Sequence, residues 1–205
     1  MKLGILTEEV EMPSRELRKS LGDAGFEPRP RPCDARLGPV FVVHATKKLL
    51  DRCGGPAPAE TPTTTALGDW YATALFWSPQ VALFVNDSTR LPVFVRLAPA
   101  ATLLARFVTD LTIVLGAHGL DPRFIDAELA EMTEHRLEQT ASRSVVGTMN
   151  DYTYLAAAHR DHHGVDDLVD LSLTLARTPC GPLRDRTGFP DLELKALVER
   201  ALDAS

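Results

Sequence analysis

Short apolar runs separated by turn-forming residues dominate the middle of the chain. A continuous apolar run, PVFVVHA, starts at Pro39 and is typical of a buried strand. Three further strands are predicted at 70–77, 81–85 and 91–97, with SPQ and NDST in the turns between them. Because short turns join them, these three strands should form an antiparallel meander. Pro92 cannot donate a backbone hydrogen bond, which predicts that the third strand starts at a sheet edge or a bulge.

The second half of the chain shows the three- and four-residue apolar spacing of amphipathic helices. Asp121 and Pro122 suit the cap and the first residue of one such helix. A further short strand is predicted at 135–140. The other helices are predicted in TKKLLDR and at 98–116, 144–158, 166–176 and 191–204. The fold class that follows is α+β, an antiparallel β-meander packed against several α-helices.

The start of the chain predicts a small N-terminal βα unit. A strand is predicted at 2–6, followed by a helix that Ser14 caps and Gly25 ends. Four prolines within 27–39 then exclude a helix or a central strand, which predicts an extended connector.

These boundaries divide the chain into two parts. We expect the βα appendage and its Pro-rich connector over 1–38 and the main α+β domain over 39–205. Residues 54–67 are rich in Gly, Pro and Thr and have almost no large apolar side chain. They have little to bury, which predicts a flexible loop inside the main domain.

Composition narrows the class of protein. The 205 residues are 44% hydrophobic and 24% charged, as in a globular domain. The net charge of -6 disfavours nonspecific binding of nucleic acid over the whole surface, although a local basic cleft is compatible with it. Three widely spaced cysteines without a CxxC pair predict neither a disulfide framework nor a cysteine zinc site, which fits a reducing cytoplasm. The most apolar long stretch, 98–117, contains Arg106 and Asp110, so no membrane span is predicted.

Two Asn-Asp pairs beside apolar runs form the first candidate site. One follows the strand at 81–85 and the other lies inside the helix at 144–158, and each segment also carries an arginine. Two guanidinium groups could clamp a phosphate or carboxylate, with an aspartate orienting it. A hairpin turn, a capped helix start and a buried Asn-Asp pair explain the same pattern structurally. The groove predicted on the binding hypothesis is lined by Asn86, Asp87, Arg90, Arg143, Asn150 and Asp151.

A second candidate is catalytic. His44 ends the first strand of the main domain and Lys47 follows it. A histidine base acting on a 2'-hydroxyl, with Lys47 and Arg143 stabilising the phosphorane, is the chemistry of a metal-independent ribonuclease. The structural alternative is that Thr46 caps a solvated first helical turn.

A third candidate is the cluster HRDHH. His159 and His163 are four residues apart on one helix face, a spacing at which imidazoles can share a metal, and His162 lies between them. There is no HExxH motif, and Gly164 predicts a solvated helix end whose dipole favours imidazolium. We therefore predict no metal site and no cofactor, and a metal-dependent hydrolase acting through His159, His162 and His163 stays the third hypothesis.

Several of these segments occur together in one order: HATKKLLDR, Trp70, LFVNDSTR, TASRSVVGTMND and LARTPCGPL, over about 40–190. In that order they resemble a family of uncharacterised bacterial proteins known only as a domain of unknown function. The resemblance implies a small α+β domain from bacteria or their mobile elements, and it brings no established activity, cofactor or catalytic residue.

The leading hypothesis is a cytosolic bacterial binding or accessory module with a polar groove. Its partner is expected to be an unknown protein or a small anionic ligand, with no membrane partner and with nucleic acid disfavoured. The alternative is a metal-independent, nuclease-like enzyme that acts on phosphodiesters through His44, Lys47 and Arg143.

Overall fold

A computed structural model describes residues 38–56, 62–163 and 167–203. The predicted N-terminal βα unit and most of its connector lie outside the described residues, so the division of the chain at residue 38 stays a prediction.

Five strands form one mixed sheet in the order β4-β3-β2-β1-β5. The strands are β1 (Val40–Ala45), β2 (Trp70–Leu75), β3 (Val81–Asn86), β4 (Pro92–Arg96) and β5 (Glu134–Gln139). The predicted meander is confirmed, because β2, β3 and β4 pair antiparallel in sequence. Pro92 is the first residue of β4 at the edge of the sheet, where its missing N–H costs no ladder bond.

β1 lies parallel to both of its neighbours, β2 and β5, a pairing that the turn signals did not predict. Parallel strands need a long crossover, and the segment between β1 and β2 supplies one that includes a helix. The short strand predicted at 135–140 becomes β5, which pairs with β1 along its whole length.

Helices cover both faces of the sheet. They are α1 (Lys47–Cys53), α2 (Leu103–Ala117), α3 (Pro122–Ala130), α4 (Arg143–His163), α5 (Leu168–Ala176) and α6 (Pro190–Asp203), with short 3-10 turns at Ala100–Thr102 and Gly181–Leu183. Asp121 caps α3 as predicted, since its carboxylate accepts the Arg123 N–H at 2.8 Å. α4 runs beyond its predicted end at 158 because neither glycine nor proline occurs between residue 158 and Gly164.

Alternation along the strands divides the core between the two faces. On one face Trp70 and Phe84 pack on Phe107 of α2, with ring centroids 5.0 and 4.1 Å apart. On the other face Tyr71, Leu83 and Phe94 pack against α4 and α5 in a second core. The molecule therefore has the α+β class predicted from the pattern.

Residues 62–67, inside the segment expected to be a flexible loop, are hydrogen-bonded at both ends. Thr64 exchanges backbone and side-chain bonds with Val40 of β1, at 2.9 and 3.0 Å. The buried carboxylate of Glu128 on α3 accepts the N–H groups of Ala66 and Leu67. Threonine hydroxyls, the distant Glu128 carboxylate and the buried side chain of Leu67 in the first core thus hold this segment in place.

By length and composition, one described segment, Ala100–Ala117, could cross a membrane. The core helix of a protein passes the same test, and α2 packs a stripe of six buried side chains into the first core. Arg106 on this helix donates to the carbonyl oxygens of Arg96, Leu97 and Pro99 at 2.8 to 3.1 Å.

Candidate functional site

The segments singled out in the sequence meet around Tyr71. We use the name Tyr71 cluster for a group of polar side chains on the α4 face of the sheet and at its edge: His44, Asp69, Tyr71, Asp87, Arg90, Arg136 and Glu138.

Strand register places the centre of this cluster. His44 on β1 pairs in register with Tyr71 on β2 and with Glu138 on β5. In-register residues of neighbouring strands point to the same face, so these three side chains form one row across the sheet. The rings of His44 and Tyr71 lie 4.7 Å apart between centroids.

The imidazole of His44 lies between two carboxylates. Its Nε2 is 3.1 Å from Asp69 Oδ2, and its Nδ1 is 3.7 Å from Glu138 Oε2. Glu138 in turn lies 3.8 Å from the Nε of Arg136 on the same strand. Both ring nitrogens of His44 therefore face acids, and neither is open to a substrate.

Tyr71 connects this row to α4. Burial, followed by the charge of Asp87, raises the pKa of the Tyr71 phenol, and a backbone hydrogen bond from Ser142 opposes that rise. Ser142 precedes α4, and its hydroxyl accepts the Val145 N–H at 3.4 Å. The N-terminus of α4 therefore meets the cluster at Tyr71.

The turn between β3 and β4 supplies Asp87 and Arg90. Arg90 adopts φ 60, a left-handed conformation rare outside glycine, and its guanidinium bonds the backbone oxygen and, at 3.3 Å, the carboxylate of Asp87. The phenol of Tyr152 on α4 donates to the Arg90 carbonyl at 3.1 Å and also contacts Cys180. Segments VNDSTR, SRSVVGTMND and RTPCGPL are thus joined at one point.

Asn86 has a structural role in this turn. Its side chain is fully buried, donates to the Leu67 carbonyl at 2.9 Å and accepts the N–H groups of Ser88 and Thr89 and the Thr89 hydroxyl. These bonds leave no polar atom of Asn86 for a ligand. The groove proposed from the sequence therefore lacks this residue, because its amide serves the backbone of its own turn and of the loop before β2.

The predicted α4 residues do not belong to the Tyr71 cluster, although Arg143 directly follows Ser142, which bonds Tyr71. Arg143, Asn150 and Asp151 are all exposed, and Asn150 and Asp151 do not form the buried pair that was considered. They fall outside the stripe of α4 that packs on the sheet through Val145 and Met149. Of the six predicted binding residues, the structure brings Asp87 and Arg90 together.

Within the part of the chain that the structure describes, the contacts of His44 are with Asp69, Glu138 and Tyr71, and neither Lys47 nor Arg143 is one of them. Lys47 has a side chain 85% exposed and pairs with Asp51 at 3.5 Å on its own helix. Among the described residues the Arg143 guanidinium makes no ion pair. With carboxylates beside both nitrogens of His44, this arrangement disfavours phosphate binding at the imidazole.

Across the described ranges, no group of three or more His, Cys, Asp or Glu side chains is placed to hold a metal ion. The side chains of His162 and His163 lie outside the described part of the structure, so the interpretation of the histidine cluster stays a prediction.

Three buried polar atoms of the cluster have no hydrogen-bond partner within the described ranges: His44 Nδ1, Asp69 Oδ1 and Arg90 Nε. Buried polar atoms are nearly always bonded, and an exception calls for an explanation. The unpaired oxygen of Asp69 is a hydrogen-bond acceptor, so it would be satisfied by a donor that enters the cluster.

Sequence reasoning missed Asp69, Tyr71, Arg136 and Glu138. Arg136 and Glu138 are two residues apart in a predicted strand, which places them on one face, but β5 is polar at five of its six positions, so periodicity does not single them out. Their meeting with His44 depends on the parallel pairing of β1 with β5, which only the tertiary structure shows.

Comparison with known protein families identifies the family of this chain. A family model described as a domain of unknown function, DUF6933, matches residues 42–193. No curated protein and no solved structure matches this sequence. The match covers most of the main domain and confirms the resemblance to an uncharacterised family. The chain belongs to the DUF6933 family.

Proposed function

We propose that this protein is a binding module and that the Tyr71 cluster recognises a cationic group, an ammonium or a guanidinium. The observation that carries the proposal is the order of charges from the surface inward. The acidic side chains of Asp69 and Asp87 are 36% and 46% exposed, whereas the side chains of His44 and Arg90 are 12% and 13% exposed. A ligand arriving from solvent therefore meets acid first.

Charge balance supports the same ligand class. The cluster holds three carboxylates against the guanidinium groups of Arg90 and Arg136, so one negative charge is left when His44 is neutral. A single cationic group restores neutrality in a partly buried site, where an uncompensated charge is costly. The small anionic ligand expected from the sequence would add to the excess instead.

We include in this proposal the accessory role in a bacterial cytoplasm that the sequence suggested. The described cysteines, Cys53 and Cys180, are both free thiols, which supports a reducing compartment. The cation could belong to a small molecule or to a side chain of a protein partner, and the shared chemistry is an amine or guanidinium donor.

An NMR titration tests the proposal. Agmatine, which carries both cationic groups, should shift the backbone amides of Asp69, Tyr71 and Asp87 in a 1H–15N correlation spectrum, and sulfate should not. An Asp69→Asn variant should lose these shifts, while Asp126→Asn, an exposed acid on α3, should keep them. Shifts at these amides with sulfate alone would overturn the ligand class, and no shifts with any probe would overturn the site.

A further inference from the structure

We propose that the protein has a second binding surface, at the far end of β2 from the Tyr71 cluster, which docks single-stranded nucleic acid. We call it the hairpin patch and define it by Lys48, Arg52, Phe76, Trp77, Arg96 and Arg160. The proposal is independent of the function proposed above.

An exposed aromatic ring marks this surface. Phe76 follows directly after β2 and is 56% exposed, although most large apolar side chains of the described chain lie in one of the two cores. Two cations of α1 flank its ring: Lys48 Nζ lies 6.0 Å and Arg52 Cζ 5.4 Å from the centroid. Arg52 is held there by a 2.7 Å bond to Gln80 across the hairpin.

The next residue repeats the arrangement on the α4 side. The guanidinium of Arg160 lies 4.5 Å from the centroid of Trp77, whose ring stacks on Phe94 in the core. Trp77, Arg96 and Arg160 share a small cleft of about 50 Å³. Arg96 also borders a wider groove of about 670 Å³ that continues past the end of β4.

The cations of the hairpin patch favour an anionic ligand. Two cations flank the Phe76 ring on the α1 side of the β2–β3 turn and two lie beside Trp77 on its α4 side, so both sides of this turn are basic in a chain whose net charge is -6. Two nearby acids form ion pairs within their own helices: Asp51 with Lys47 at 3.5 Å, and Asp161 with Arg160 at 3.8 Å. Asp110 and Asp167 line the wider groove together with Arg96 and Arg106, and the Asp167 carboxylate caps α5.

Single-stranded nucleic acid supplies both bases for the exposed aromatic ring and phosphates for the cations. Bases stack on exposed aromatic side chains, and phosphates bind the flanking cations, the combination found in sequence-tolerant single-strand binding. An acidic peptide would use the cations but would gain little from Phe76. Duplex nucleic acid would not present its bases to the ring.

Fluorescence anisotropy with a labelled oligothymidylate of about 12 nucleotides measures this binding. If all four cations contact phosphates, the logarithm of the affinity should fall against the logarithm of salt concentration with a slope of about -3. Phe76→Ala and Phe76→Leu should each weaken binding about tenfold, because both remove the stacking ring. The double variant Lys48→Gln with Arg52→Gln should weaken binding and flatten the salt slope.

Matched controls separate the patch from general surface effects. Tyr154→Ala removes an aromatic ring that is 77% exposed on α4, and Arg184→Gln removes an exposed cation elsewhere; both should bind as the wild type does. Because Phe76 is exposed, its variants should keep the wild-type circular dichroism spectrum. No binding by the wild type at low salt, equal binding by the Phe76 variants, or equal competition by polyglutamate would overturn the proposal.

Discussion

His44 and Asp69 are hydrogen-bonded at the place where β1 ends beside the start of its parallel neighbour β2, with Nε2 3.1 Å from Oδ2. The bond uses one carboxylate oxygen and leaves the other, Oδ1, buried without a partner in the described structure. Together with the exposure of the Asp69 and Asp87 carboxylates, this unpaired oxygen makes the Tyr71 cluster a candidate for binding and not only a structural ion network.

Asn86 and Asn150 should respond differently to substitution. Asn86→Ala removes buried bonds to the Leu67 carbonyl and to the Thr89 amide, and it leaves those groups unsatisfied. We expect a loss of about 3 kcal/mol in the free energy of unfolding, measured by urea denaturation. Asn150→Ala, at an exposed helical position, should change it by less than about 0.5 kcal/mol. Equal effects would show that Asn86 is not the anchor of its turn.

Tyr152 should stabilise the junction between α4 and the β3–β4 turn. Tyr152→Phe keeps the ring but removes the hydroxyl that donates to the Arg90 carbonyl at 3.1 Å. The expected loss is about 1 to 2 kcal/mol in the free energy of unfolding. Tyr154→Phe, on the exposed side of the same helix, serves as the control and should have no measurable effect. An unchanged stability of Tyr152→Phe would contradict this role.

Glu128 should make the stability of the protein depend on pH. Burial raises the pKa of its carboxyl from 4.5 to about 7, although hydrogen bonds from the amides of Ala66 and Leu67 oppose the rise. The pKa of Glu128 is higher in the folded protein than in the unfolded chain, so the folded state binds this proton more tightly. The stabilisation that comes from the bound proton is therefore complete below about pH 4.5 and is lost as the pH rises through about 7.

Glu128→Gln cannot titrate, so the decline in stability between those pH values should become smaller by up to about 3 kcal/mol. Urea denaturation at a series of pH values measures it. Glu199→Gln changes an exposed carboxyl on α6 in the same way and should leave the wild-type profile intact. A wild-type stability that rises over this pH range, or the same profile in Glu128→Gln, would refute the assignment.

The sequence predicted the elements better than their arrangement. Periodicity and turn residues located the meander, and Asp121 with Pro122 located the start of α3, because these signals act between residues close in the chain. The parallel pairing of β1 with β5 joins residues about ninety positions apart and has no local signal.

The candidate site shows the same limit. Asn86 and Asp87 are adjacent in sequence, yet one is sealed inside the turn and the other is half exposed. Composition alone would make Asn86 and Asp87 equally good candidates for binding a ligand. Asp69 and Glu138 belong to the site because they contact His44. No spacing in the sequence indicated these contacts.

Isothermal titration calorimetry of agmatine into the wild type and into Asp69→Asn measures whether the Tyr71 cluster binds a cation through Asp69. We expect saturable binding with one site per chain and at least a tenfold weaker affinity in Asp69→Asn, because the variant removes the charge that faces the ligand. The same affinity in both proteins, with the fold of each verified by circular dichroism, would contradict it.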